Sequence, residues 1–302
     1  MKHTILAILA AMLLFSCKKD KPAKPDNSGK LYTVNFKVNS FSQVLEPIGK
    51  SSADKKLLAD GDSLAQKIGS ILYRLYTTNG TLIKQKTSIS SAKEFGTLLD
   101  SLAAGNYTAV IMGFKGAYTI QEPNTVLPDV NTSLFYKKIN FTVSNQNLNQ
   151  QVALERMNAG LQIILTDEGP ISSSVLQYRA TVNDYQAFSI FNYTPVTVPN
   201  ETRIITLKKD KGNFNGGTFD LGTSVSILNT TGPVTVTIWA ASNLGGNVIY
   251  AQKTLNNVMF YRNKKTILTG KLFSNDPGAT GGTGFTTSLK TEFEPDTLKT
   301  NY

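Results

Sequence analysis

The chain has 302 residues, with 31 Lys and Arg against 21 Asp and Glu for a net charge of +10, one His and one Cys. Both rare side chains, His3 and Cys17, fall at the extreme N-terminus, so the remainder has no means for Ser-His-Asp or Cys-His catalysis, His- or Cys-ligated zinc, or imidazole proton transfer. A lone cysteine also excludes an intramolecular disulfide.

The opening MKHTILAILAAMLLFSC places Lys2 before an apolar run from Ile5 to Phe15, the length of a signal-peptide core and too short to span a bilayer. Leu14, Phe15 and Ser16, ahead of Cys17, resemble the lipobox of bacterial lipoproteins, in which a small residue precedes the cysteine that becomes the lipidated N-terminus. Residues 1–16 therefore read as a lipoprotein signal peptide, with Cys17 as the lipidation site. Covalent acyl chains, palmitate among them, would hold it to the membrane at about 0.8 kcal/mol per buried methylene. No other cofactor and no metal is expected. Residues 17–30 continue as KKDKPAKPDNSGK after the cysteine, without a side chain able to enter a core, and read as a flexible tether.

From Lys30 the pattern has period two: Tyr32, Val34, Phe36 and Val38 alternate with Thr33, Asn35 and Lys37, predicting a half-buried first strand. Residues 51–68 have weak β character and predict a mobile loop or a short helix. Ile71, Tyr73 and Leu75 resume the alternation, and Thr78-Asn79-Gly80-Thr81 supplies a turn before the return strand at Leu82-Ile83. A strand ending near Leu102 turns at Ala104-Gly105 and leaves with Tyr107, Ala109 and Ile111 on one face. Segments 133–143 and 150–157 complete about seven strands, enough for one sandwich.

The second half repeats this grammar. Strands are predicted around 161–165, 175–182, 203–207, 223–228, 234–240, 248–253 and 265–273, separated by Gly, Pro and Asn turns. Two successive β-sandwiches follow, spanning 31–155 and 156–302, with the boundary near Glu155 to Ala159. Trp239, between Val236 and Ile238 on one side and Ala240 on the other, is expected to be a core or inter-sheet aromatic. Residues 275–284, NDPGATGGTG, read as a flexible link to a tail that can dock as a last strand.

Little chemistry remains for catalysis. Ser52-Ala53-Asp54-Lys55 has the Ser-x-x-Lys spacing of penicillin-recognising enzymes without the accompanying Lys-Thr-Gly. Asp60-Gly61-Asp62 lacks the later ligands of a calcium loop. Glycoside hydrolysis needs two facing carboxyl groups, and no pattern pairs any here. The Lys doublets at 55, 137, 208 and 264 are scattered and there are only five Arg, so they read as a solvated surface; secretion removes nucleic acid as a partner. A non-enzymatic surface protein is expected, with no catalytic residues.

LYRLYTTNGTL (72–82), LAAGNYTAVIMG (102–113), ERMNAGLQIILTD (155–167) and above all NKKTILTGKLF (263–273), behind Ser16-Cys17-Lys18-Lys19-Asp20, resemble the FimB-type anchor lipoproteins and fimbrillins of Bacteroidetes. The resemblance implies tandem transthyretin-like, Greek-key β-sandwiches standing off the outer membrane, surface-exposed, whose partners are fimbrial or other surface-fibre subunits joined by strand complementation. The first arginine, Arg74, lies inside a predicted strand, which favours permanent anchoring over arginine-specific maturation. Ser63, Ser101 and Thr297 each follow Asp and precede Leu, similar to the Bacteroidetes O-glycan acceptor pattern. The alternative is a glycan-binding outer-membrane lipoprotein, for which Tyr185, Tyr193 and Tyr261 are the loop aromatics available.

Overall fold

The computed structural model describes residues 29–45, 52–57, 64–116, 126–127, 133–184, 187–196, 203–242, 248–273 and 284–290. The signal peptide, Cys17, Ser63, Tyr185, Thr297, nearly all of the 275–284 link and residues 291–302 lie outside the described residues.

The first half carries β1 (Tyr32–Leu45), β2 (Ser52–Leu57), helix α1 (Leu64–Lys67), β3 (Ser70–Thr77), β4 (Leu82–Ile89), β5 (Thr97–Leu102), β6 (Gly105–Phe114), β7 (Val126–Leu127), β8 (Leu134–Val143) and β9 (Leu148–Arg156). All but β7 join one sheet in the order β2-β1-β9-β8-β6-β3-β4, with β5 beside β1. A register shift between Val38 and Ser40 divides β1. Its first part pairs with β5 and its second with β2, while β9 runs parallel along both. The expectation of a loop or helix over 51–68 is thus half right: α1 is present, but residues 52–57 form a strand. Lys55 and Lys56 hid it, because an edge strand tolerates charge that a central strand would not.

Tyr32, Val34, Phe36 and Val38 enter the first core together with Ile71, Tyr73, Leu75, Ala109 and Ile111, as the alternation requires. β3 and β6 depart from the half-buried expectation. Their second faces, including Leu72, Tyr76, Val110, Met112 and Phe114, are buried as well, against Phe188, Ile190, Tyr193 and Leu228 from the second half.

The second half carries β10 (Ala159–Leu165), β11 (Gln177–Asp184), β12 (Ala187–Ser189), β13 (Pro195–Val196), β14 (Arg203–Asp210), β15 (Phe219–Ile227), β16 (Val234–Ala241), β17 (Ile249–Val258), β18 (Lys265–Gly270) and β19 (Phe285–Lys290). They form sheets β15-β10-β18-β19 and β14-β11-β16-β17, and a small sheet β13-β12-β7 that borrows β7 from the first half. Between the two four-stranded sheets lies a core of Leu161, Ile163, Tyr178, Ala180, Val236, Ile238 and Leu268, among others. Both halves share one device. The opening strand runs parallel to a late one, β1 to β9 and β10 to β18. The chain is all-β, and no helix of the described residues is long and apolar enough to cross a membrane.

One seam of the first sheet is held by a carboxylate. Asp100 on β5 is buried, accepts a hydrogen bond from Lys84 Nζ at 2.6 Å, and lies 3.7 Å from Lys86 Nζ, both on β4. Lys86 also donates to the Leu99 carbonyl. Burial, then the charge of Asp100 at 3.5 Å, pushes the Tyr73 hydroxyl up from its usual ionisation range. The lysines are well exposed and alone would contribute little. The buried acid makes the pair matter, since it needs them to be tolerated. Asp100→Ala is expected to lower unfolding free energy by about 1–3 kcal/mol, measured by urea denaturation.

Candidate functional site

β18 owes its form to KTILTG, in which Thr266, Leu268 and Gly270 are buried while Lys265, Ile267 and Thr269 are half-buried on the other face. One edge pairs in parallel with β10, register Gly160↔Lys265 to Leu165↔Gly270. The other is taken by β19, antiparallel from Gly270↔Phe285 to Lys265↔Lys290. β19 has a single deep anchor. Phe285 is buried in the core, Leu289 is half-buried, and Thr286, Thr287 and Ser288 are exposed.

Gly270 makes room for that anchor. A Cβ built there would meet the Gly284 carbonyl oxygen first, and would stand 2.6 Å from Phe285 Cγ and 2.8 Å from Phe285 Cα, closer than real atoms approach. The requirement is for space, as the partner strand's backbone and its aromatic both come close over the glycine. The Lys253 ammonium on β17 lies 5.9 Å from the Phe285 ring centre.

Magnitudes make β19 marginal. Burying one Phe contributes about 2–3 kcal/mol, and each ladder hydrogen bond adds about 1 kcal/mol net. Ordering its six residues costs about 1–2 kcal/mol apiece. The two sides nearly cancel, so β19 is held by a narrow margin.

The exit of β18 is fixed by Asp167. Its Oδ1 accepts the Phe273 N–H at 2.7 Å and its carbonyl accepts the Gly217 N–H at 2.8 Å. Lys271 reaches the neighbouring Glu168 at 2.5 Å on the surface. Burial raises the Asp167 carboxyl above its ordinary value, against the opposing pull of the Phe273 and Leu272 N–H groups and of Lys253 and Lys271. Its Oδ2 and the Tyr178 hydroxyl, whose ionisation is raised first by burial and then by Asp167, both lack a hydrogen-bond partner among the described residues.

The sequence singled out 51–68 and 285–302 as segments that could engage a neighbour, and each contributes an edge strand, β2 from residues 52–57 and β19 from residues 285–290. Ser101 is exposed on β5, opposite Thr33, while the Asp100 before it is committed to the lysine seam. Trp239 is a correction. On β16 the core side belongs to Val234, Val236, Ile238 and Ala240, and Trp239 lies half-buried on the opposite, outward face. Strict alternation required this parity, and the size of the indole obscured it. Tyr193 is the converse: it is buried, stacked on Phe188 at 4.8 Å between centroids, and offers no exposed platform. Tyr261 is half-buried, with the Lys264 ammonium 5.5 Å from its ring centre. Among the described residues no group of three or more His, Cys, Asp or Glu comes together to hold a metal.

No protein-family model matches the sequence. No curated protein matches it either. Similarity to solved structures is found instead. A candidate polysaccharide-binding protein from Bacteroides thetaiotaomicron superposes with TM-score 0.50 at 9% identity, covering 80% of this chain and 92% of that one. The fimbrial anchor protein Mfa2 from Porphyromonas gingivalis gives 0.48 at 11% identity, covering 86% and 98%. The tip fimbrial protein Mfa3 from the same organism, truncated at its C-terminus, gives 0.42 at 13% identity, covering 85% and 99%. At these identities the likeness is one of fold alone.

Two outcomes are expected here. Gly270→Ala should accelerate amide exchange over residues 285–290 by at least about tenfold, while β10 and β16 keep wild-type protection; equal acceleration everywhere would mean the glycine serves the whole core. For Asp167 the raised carboxyl means that folding takes up a proton, so its contribution to stability falls as pH rises through the raised value. Asp167→Asn should therefore be more stable than wild type at pH 7 in urea titrations. The two should converge as pH falls toward 3.8, the ordinary Asp value.

Proposed function

We propose that this protein is a non-enzymatic surface-fibre subunit, anchored in the outer membrane through lipid on Cys17, which engages a fimbrial or related neighbour by strand exchange at the β18 edge. The observation that carries the reading is β19: the last strand of the described residues, with one deep anchor, on the edge of a sheet whose next strand lies in the core. A neighbour's extended segment that offers an aromatic over Gly270 and pairs along Lys265 to Gly270 would recover the same ladder of main-chain hydrogen bonds. Freed β19 residues could make the reciprocal pairing. Fold likeness does not single out this role, since a candidate polysaccharide-binding protein has the fold too. The marginal edge strand distinguishes it.

The lipid anchor rests on the lipobox-like Leu14 to Cys17 and the polar tether behind it. Cells lacking the gene should carry fewer, shed or abnormally long fibres, and deleting residues 285–302 should reproduce that phenotype while the protein stays at the membrane. Cys17→Ala should instead release the protein from outer-membrane fractions. Unchanged fibres after the tail deletion would overturn the docking role, and full retention of the Cys17→Ala protein with no partner expressed would overturn the anchor.

A further inference from the structure

The outward face of the β14-β11-β16-β17 sheet is a composed surface. Its inward face is spent on the core: Tyr178, Ala180 and Val182 from β11, Val236, Ile238 and Ala240 from β16, Leu255 from β17. The residues between them point to solvent, and the registers align them into two rows across all four strands. One row is Lys208, Arg179, Trp239, Gln252. The next is Thr206, Thr181, Thr237, Thr254, whose last two hydroxyls are 3.5 Å apart. Tyr250, exposed, lies on β17 two residues before Gln252, where the ladder with β16 shifts register between Ala240 and Ala241.

This row differs from an ordinary solvated sheet face in two ways. A large flat aromatic occupies its centre, where Thr, Lys or Asn would suffice for solubility. Its guanidinium is also pre-set from the side, by the residue two before it on the same face of β11. Gln177, buried although polar, accepts the Arg179 Nε–H with its Oε1 at 2.7 Å and donates from Nε2 to Asp210 at 3.2 Å. A side chain oriented by a buried partner loses less freedom when it binds something. Strand spacing then sets the scale: Arg179 and Lys208 sit one and two strands from Trp239, at about 5 and 10 Å.

From this geometry we propose that the sheet face binds a polysaccharide carrying acidic sugars. The indole of Trp239 and the phenol of Tyr250 offer apolar plates to the flat faces of successive pyranose rings. Arg179 forks onto a carboxylate of the chain with Lys208 adding charge further along. Gln252 and the threonine row supply hydroxyl partners. Charge complementarity selects the acidic class: across these two rows the charges are Lys208 and Arg179, the one acid beside them, Asp210 in the next row, is bonded to Gln177, and the protein has a net charge of +10. The face is separate from the β18 edge, so this binding stands or falls independently of strand exchange.

Trp239 is the only tryptophan of the chain, so its emission reports on this face alone. Mature protein titrated with oligogalacturonate should show a saturable change in emission that weakens with salt, and retardation in gels containing polygalacturonate. Neutral cello-oligosaccharides should give neither. Trp239→Ala, and independently the exposed-site variants Tyr250→Ala and Lys208→Gln, should each weaken retardation by about tenfold or more, with unchanged circular dichroism. Loss in the two exposed-site variants supports the face even if Trp239→Ala fails to fold. Silent emission, equal binding of neutral chains, or undiminished retardation of folded Trp239→Ala would each overturn the proposal, the last by showing attraction of surface lysines elsewhere.

Discussion

A β-sandwich has to dispose of its edges, and this constraint organises the molecule. Each outer strand presents unpaired N–H and C=O groups that invite pairing with another chain. Here the edges are handled differently. Asp100 ties β5 to Lys84 and Lys86 of β4, closing the first sheet on itself. Lys209 on β14 donates to the Asp220 carbonyl on β15 at 2.6 Å, drawing the two sheets of the second half together along that side. The β18 edge alone of these three is covered by a short strand from the end of the described chain, held by Phe285 over Gly270. Two closures are made by charged side chains that grip from across a gap. The third is made by backbone, and backbone can be replaced by other backbone.

Much of this was legible beforehand because strand periodicity is a direct consequence of pleating. Tyr32 to Val38 announced both a strand and its inward face, and Asn79-Gly80 announced a turn in which Gly80 takes a φ of 84°. What alternation could not reveal was burial on the second face. In SILYRLYT the even positions Leu72 and Tyr76 are as apolar as their neighbours, the mark of a strand covered on both sides. The covering residues Phe188, Ile190 and Tyr193 come from over 100 positions away, and no local pattern connects them.

The functional surfaces show the same division. Trp239 was visible as an isolated aromatic, but which way it faced depended on treating Val236 and Ile238 as strictly inward. Its partners Arg179 and Gln252 became neighbours only through the registers of β11 and β17. Gly270 carried no signal either: in NKKTILTGKLF it reads as the end of a strand, and its necessity follows from the Gly284 carbonyl and Phe285 lying across it. The tail was recognisable as a possible strand from composition. Its tenuous hold was not, because that depends on counting which side chains reach the core.

Locking the edge tests the account most directly. Ile267 and Ser288 face each other across β18 and β19, and Cys17 is the one cysteine of the sequence. A double variant, Ile267→Cys with Ser288→Cys, would place a reducible bond across the pair. The account predicts that the oxidised protein reaches the membrane and folds but no longer supports normal fibres, and that reduction restores assembly. Normal assembly by fully oxidised protein would show that β19 never leaves its edge, and strand exchange at β18 would be wrong.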